Sequence, residues 1–147
     1  MAFFQTGTYD LFLTHAWHYI DEWQLLVAIL DEHLPGKWRN WSLPWHDTSI
    51  DRYTVAGKAQ LETLLDGHIS MTSVVILVPE IVKTGDGRFW VEKELQIAAK
   101  HSKPVVGVLP LNGDPFPAAL IPRTNSVVKR DAQEILEAVR ALTGVEA

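Results

Sequence analysis

Two short segments that are apolar on both faces constrain the fold more than any other feature of the chain. They are "SVVILVP" at residues 73–79 and "PVVGVL" at residues 104–109, and β-branched residues dominate both. Continuous apolar runs of this length are typical of strands in a parallel sheet, where helices cover both faces. The sequence therefore predicts an α/β fold.

Shorter strands and amphipathic helices alternate around these two segments. We predict strands also at 9–13, at 38–42 and near 126–128, and helices at 19–34, 55–69, 89–100 and from 131 to the stop at Gly144. The segment "KTGDGR" is interpreted as a glycine loop, and a proline-rich loop follows the fourth strand. Right-handed crossovers favour a flavodoxin-like sheet of order 2-1-3-4-5 with helices on both faces. Residues 1–147 are predicted to form a single domain, because no linker or repeat interrupts the alternation.

Composition excludes several classes of function. Eighteen acidic and thirteen basic side chains give a formal charge of -5, which argues against a DNA-binding or membrane-surface protein. There is no cysteine, so disulfides, thiolate metal sites and cysteine nucleophiles are excluded. The chain has no basic leader and no run of about 18 apolar residues, so we expect a soluble cytoplasmic protein.

Aromatic and polar residues follow the first three predicted strands. Thr14–Trp17 come after the first strand, Ser42–Asp47 after the second, and the segment before Trp90 after the third. Because the carboxyl ends of parallel strands meet at one edge of the sheet, ligands bind there. We therefore expect one pocket at this edge, although an ordinary polar turn explains each loop taken alone. The side chains expected to gather around it are His15, Trp17, Trp45, His46 and Trp90.

Glu94 is the strongest single candidate for chemistry. In the third predicted helix it lies one turn after Trp90, on a face that borders the apolar stripe, whereas Glu92 points towards solvent. We expect the helix macrodipole to keep the Glu94 carboxylate ionised. Two roles stay open from spacing alone: a surface ion pair, or the stabilisation of a cationic sugar carbon.

Other catalytic motifs are absent. No G-x-G-x-x-G follows a strand, and the chain contains neither a complete P-loop nor a G-x-S-x-G elbow. A phosphorylated receiver domain is excluded as well, because the third strand ends in Val78-Pro79 without an aspartate. His15 and His18 lack a carboxylate partner at helical spacing, so no metal site is predicted.

Several segments, taken together, resemble the TIR-like family that includes the ThsB proteins of Thoeris antiphage defence. They are "YDLFLTHAWHY", "WSLPWHD", "SVVILVPE" and "RFWVEKELQIAAKHSKPVVGVLP", followed by an amphipathic helix. The most specific parts are F-L-T-H-A-W after the first strand and W-V-E-K-E on the third helix. The chain departs from many relatives in having Thr14 in place of serine and "TGDGRF" before Trp90.

The resemblance implies an enzyme that cleaves NAD at the nicotinamide–ribose bond and makes a cyclic or modified ADP-ribose signal. That signal would activate a partner effector protein, and the enzyme would form homo-oligomers on activation, with NAD as substrate and neither cofactor nor metal. The family's catalytic glutamate falls on Glu94. The implied substrate-binding residues are Thr14, His15, Ala16, Trp17, Ser42, Pro44, Trp45, His46, Asp47 and Trp90. Two alternatives remain: a nucleotide-binding module without turnover, and an interaction adaptor that uses the tryptophan-rich loop.

Overall fold

A computed structural model describes residues 9–14, 20–42, 50–51, 53–80 and 85–144. Strands and α-helices alternate along these ranges, with one 3-10 helix before the last strand. In chain order they are β1 (Tyr9–Leu13), α1 (Ile20–His33), β2 (Trp38–Asn40), α2 (Val55–Ser70), β3 (Val74–Leu77), α3 (Gly85–Lys100), β4 (Val105–Val108), the 3-10 helix (Ala118–Arg123), β5 (Ser126–Val128) and α4 (Ala132–Thr143).

All five strands belong to one parallel sheet of order β2-β1-β3-β4-β5. Leu13 lies opposite Ile76, Ile76 opposite Val106, and Val108 opposite Val128. β3 therefore extends beyond the end of β1 and β4 extends beyond the end of β3, whereas β4 and β5 end level. The predicted strand order is confirmed, and with it the flavodoxin-like class.

Helices pack on both faces of this sheet. On one face α2 and α3 bury Leu61, Leu65, Trp90 and Val91 against Phe12 and its neighbours on β3. On the other face α1 and α4 cover the side chains that point the opposite way, among them Leu11, Leu13, Val74 and Ile76. Alternation of side chains along each strand divides the core into these two halves. The predicted three-layer sandwich is thus confirmed.

Helix α3 begins earlier than the sequence predicts. Its first residue is Gly85, so the last four residues of the predicted loop "KTGDGR" belong to the helix. Glycine has a low helix propensity, but the tertiary packing of α3 on α2 and the sheet outweighs it. As a consequence Glu94 lies in the third turn of α3, beyond the reach of the positive end of the helix.

The last helix has the predicted ends. Asp131 accepts a hydrogen bond from the Gln133 backbone N–H at 3.3 Å, and Gly144 ends the helix in the left-handed region with φ of 74°. Glu134 departs from the capping-box geometry, because its carboxylate reaches back to the Lys129 N–H at 3.1 Å. The 3-10 helix within the proline-rich loop was not predicted. No helix in the described ranges is long and apolar enough to cross a membrane.

We predict opposite effects for two glycine substitutions in α2. A Cβ at Gly57 would collide with the Asp51 carbonyl, which is fixed by the turn that caps α2, whereas a Cβ at Gly67 meets no neighbour. Gly57→Ala should lower the free energy of unfolding by about 1–3 kcal/mol. Gly67→Ala should raise it by about 0.5–1 kcal/mol through helix propensity. Chemical denaturation measures both, and equal effects of the two substitutions would contradict the packing described here.

Candidate active site

Thr14 joins the ends of the two central strands. Its backbone N–H donates to the Ile76 carbonyl at 3.0 Å, and its Oγ1 accepts from the Val78 N–H at 2.8 Å. The residue is fully buried. Since the hydroxyl oxygen accepts from the backbone, its proton is still available to donate to another acceptor.

Ser42 fixes the chain where it leaves β2. Its Oγ accepts from the Leu13 N–H at 3.0 Å, and its own N–H donates to Asn40 Oδ1 at 2.9 Å. Ser42 therefore binds the last residue of β1, which directly precedes Thr14. The first two of the predicted ligand loops begin side by side at the carboxyl edge, as expected for those two positions.

His68 supports this edge from α2. Its Nδ1 lies 2.7 Å from the Trp41 carbonyl oxygen, and its ring is edge-on to the Trp41 indole. His68 lies in the last turn of α2, and its partner lies 27 positions away along the chain. The contact requires the Nδ1–H form of the imidazole and anchors the residue before Ser42.

The indole N–H groups of Trp38 in β2 and of Trp41 directly after it donate to carboxylates. Trp38 Nε1 donates to Asp31 at 2.9 Å, and Trp41 Nε1 donates to Asp10 at 3.0 Å. Both side chains are half-buried. The polar residues around these indoles are thus explained by their place at the edge of the sheet, where the ring is partly buried and its N–H contacts a charged side chain.

Glu94 is fully buried, with 0% exposure. Among the described residues neither carboxylate oxygen has a hydrogen-bond partner. Burial raises its pKa well above the ordinary value of 4.5. The expectation that Glu94 borders the apolar stripe and stays ionised is therefore wrong: it lies within the stripe, and desolvation disfavours its charge. An unpaired buried carboxyl is costly, which makes it a candidate for chemistry.

Trp90 lies one turn before Glu94 and is 1% exposed. Its indole is edge-on to the Phe89 ring, with centroids 5.0 Å apart. The two residues most specific to the W-V-E-K-E motif therefore share one buried face of α3. Contact of Trp90 with a nucleotide stays a prediction.

Glu92 lies on a different face of α3. Its carboxylate accepts from Arg123 Nη1 at 2.6 Å, and both side chains are partly exposed. Glu92 is partly exposed to solvent, whereas Glu94 is fully buried. The predicted contrast between the two glutamates is therefore confirmed. Glu92 is thus a matched reference for Glu94 on the same helix.

A buried ion pair lies beyond β3 and β5. Glu80 accepts from Arg130 Nη2 at 2.7 and 3.0 Å, and both side chains are less than a tenth exposed. Sequence reasoning missed this pair. Fifty positions separate the two residues, and no local pattern signals such a contact.

The remaining predicted site residues lie outside the described residues. They are His15, Ala16, Trp17, Pro44, Trp45, His46 and Asp47. Their gathering around one pocket stays a prediction. Within the described ranges no group of three or more histidine or carboxylate side chains is placed to hold a metal ion.

Fold and site together define a class: a flavodoxin-like, TIR-like α/β protein with a buried glutamate on the helix after the central strand. Residues 12–113 match the family described as "Thoeris protein ThsB, TIR-like domain", so the chain belongs to the ThsB TIR-like family. No curated protein sequence shows significant similarity to it. A solved structure, the CMP N-glycosidase BcmB from Clostridium botulinum, shares the fold with a TM-score of 0.50 and 14% identity. The similarity covers 90% of this chain and 98% of that one.

Because Glu94 is buried, replacing it with a neutral side chain should stabilise the protein, by an amount that depends on the pH. The native protein holds the Glu94 proton more tightly than the unfolded chain, so the stability contributed by this group falls as the pH rises above 4.5. The fall ends once the pH has passed the raised native pKa. We expect Glu94→Gln to have a higher Tm than the wild type at pH 8, with the difference shrinking towards pH 4.5. Glu92→Gln should give no such gain, and thermal unfolding across this pH range measures both. A Tm of Glu94→Gln at or below wild type at pH 8 would refute the burial of a chargeable group.

Proposed function

We propose that the protein cleaves the N-glycosidic bond between nicotinamide and ribose in NAD, with Glu94 as the catalytic residue. The single observation that carries the proposal is the Glu94 carboxyl, fully buried and without a hydrogen-bond partner among the described residues. Membership of the ThsB TIR-like family supports NAD as the substrate.

The chemistry follows from charge development at the ribose. Nicotinamide leaves with the electron pair of the C–N bond, and the sugar carbon becomes oxocarbenium-like. A carboxylate in a water-poor site stabilises that cation far more strongly than it would in solvent. The nicotinamide ring of NAD is itself cationic, so its binding near Glu94 would favour the ionised carboxylate and lower its pKa.

The product that we propose is a cyclic or modified ADP-ribose. A site closed to water lets a nucleophile from the substrate itself capture the sugar cation in place of hydrolysis. The resulting nucleotide would signal to a separate effector protein in antiphage defence, in a cytoplasmic enzyme that assembles into homo-oligomers on activation. Thr14 and Ser42 lie at the edge where the nucleotide would bind, and the hydroxyl oxygen of each accepts a backbone hydrogen bond.

Glu94→Gln should reduce nicotinamide release from NAD by roughly 10²-fold or more, which corresponds to about 3 kcal/mol of transition-state stabilisation. The amide keeps the size and hydrogen-bonding capacity of the side chain and removes the negative charge. Quantifying nicotinamide by chromatography, with mass spectrometry of the nucleotide product, measures the effect.

Glu92→Gln is the control on the same helix. It weakens a partly exposed ion pair with Arg123, a change of about 1 kcal/mol or less in stability. The variant should keep most of the activity. Equal activity of the wild type and Glu94→Gln would show that this carboxylate does not carry the reaction. A folded protein that binds NAD without releasing nicotinamide, under conditions that activate it, would favour the binding-module alternative.

A second reaction is favoured by the raised pKa of Glu94. A carboxyl whose pKa is raised keeps its proton to a higher pH than an ordinary glutamate, so it can act as a general acid that donates its proton to a neutral base as that base leaves the sugar. The solved structure that shares the fold is a CMP N-glycosidase, so a fold of this kind can carry such a reaction. Cleavage of a pyrimidine nucleoside monophosphate is therefore the second candidate.

The pH dependence distinguishes the two reactions. Cleavage of NAD needs the ionised carboxylate, so kcat/KM should rise with pH through the raised pKa of Glu94, in a window above 4.5. Release of cytosine from CMP needs the protonated acid, so kcat/KM should fall across the same window. Profiles for both substrates, measured by chromatography of the released base, decide between them. A kcat/KM that is flat in this window for the substrate that is cleaved would contradict a titrating Glu94.

A further inference from the structure

The buried pair of Glu80 and Arg130 ties together the ends of three strands. Arg130 Nη2 donates to both oxygens of Glu80, and Nη2 and Nε also donate to the Leu109 carbonyl at 3.0 and 3.3 Å. Glu80 Oε2 in turn accepts from the Leu111 N–H at 3.0 Å. The pair thus spans the carboxyl ends of β3, β4 and β5, and we call it the strand-end clasp.

The clasp is poorly suited to a role in stability alone. Removing two charges from water is costly, and a buried ion pair repays that cost only when its hydrogen bonds are complete. Here Arg130 Nη1 is buried without a partner among the described residues. Replacing such a pair with uncharged side chains is often neutral for stability. The position in which the clasp holds the chain is therefore more informative about its role than its contribution to stability.

Glu80 lies at the point where the chain leaves the sheet for α3. Only residues 81–84 separate it from Gly85, the first residue of α3. That helix begins with glycine and carries Glu94 in its third turn, so its own propensity holds its start weakly. Trp90 and Val91 pack α3 into the core, and the clasp fixes Glu80, the last described residue before this helix.

We propose that the strand-end clasp of Glu80 and Arg130 positions Glu94 for the reaction. The clasp fixes Glu80, the last described residue before α3, and through that helix it sets where the carboxylate meets the sugar. Arg130 is thus a positioning residue and touches no reacting atom. The proposal rests on the function proposed above, because it assigns to Glu94 the catalytic role that the clasp serves.

Two variants test the clasp. Arg130→Lys keeps the positive charge and loses the forked geometry, while the double variant Glu80→Gln/Arg130→Gln removes both charges and leaves no unpaired ion. We expect both to fold, as judged by circular dichroism. Their kcat for nicotinamide release should fall about tenfold or more, with the KM for NAD within about twofold of wild type, because only the placement of the carboxylate changes.

Lys100→Gln is the control. It breaks the exposed 2.7 Å pair between Lys100 and Asp66 at the opposite end of α3 and should leave kcat unchanged. A purely structural role predicts a lower Tm but an unchanged kcat per folded molecule. Folded clasp variants with wild-type kcat would therefore overturn the positioning role.

A second readout keeps the clasp testable if the protein does not cleave NAD. The Tm gain from Glu94→Gln at pH 8 is measured in the wild-type and in the double-variant background, which forms a double-mutant cycle. A smaller gain without the clasp shows that the clasp helps to hold Glu94 in its buried place. An equal gain in both backgrounds overturns the proposal, whatever the fate of the proposed function.

Discussion

The removal of one carboxyl group from water is the constraint on which this structure depends. Glu94 lies between α3, α2 and the sheet, on a face otherwise made of Trp90, Val91 and Leu95. A charge there has no counter-ion or hydrogen-bond donor among the described residues, so the folded protein favours the protonated acid.

Under the function proposed above, the cost of burying this carboxyl is the counterpart of catalysis. A site prepared for a sugar cation must hold an acceptor that is not already satisfied, because a carboxylate saturated with hydrogen bonds would stabilise the cation less. The edge around it is ordered by other means. Thr14, Ser42 and His68 tie the ends of β1 and β2 to their neighbours. Hydrogen bonds at the carboxyl edge thus stabilise the ends of the strands, whereas the Glu94 carboxyl has no hydrogen-bond partner among the described residues.

Much of the fold was predictable, because parallel sheets require strands that are apolar on both faces. β1 has the predicted bounds, and the strand order follows from the alternation and the handedness of crossovers. The start of α3 was predicted too late in the chain, because glycine usually indicates a loop. Tertiary packing nevertheless extends the helix back to Gly85. We predicted that Glu94 lies at the border of the apolar stripe of α3, because charged residues seldom lie within such a stripe. Its spacing from Trp90 and Val91 nevertheless put it at the centre. The clasp of Glu80 and Arg130 had no signal, because ion pairs between distant strand ends leave no local pattern.

Direct titration of the Glu94 carboxyl tests the central claim most closely. Carbon-13 labelling of glutamate side chains, with Glu94→Gln to assign the resonance, gives the midpoint by nuclear magnetic resonance. The buried, unpartnered carboxyl predicts a midpoint well above 4.5 in the free protein, and a lower midpoint when a non-cleavable cationic NAD analogue is bound. A midpoint near 4.5 in the free protein, unchanged by the analogue, would contradict both its burial and its proposed role.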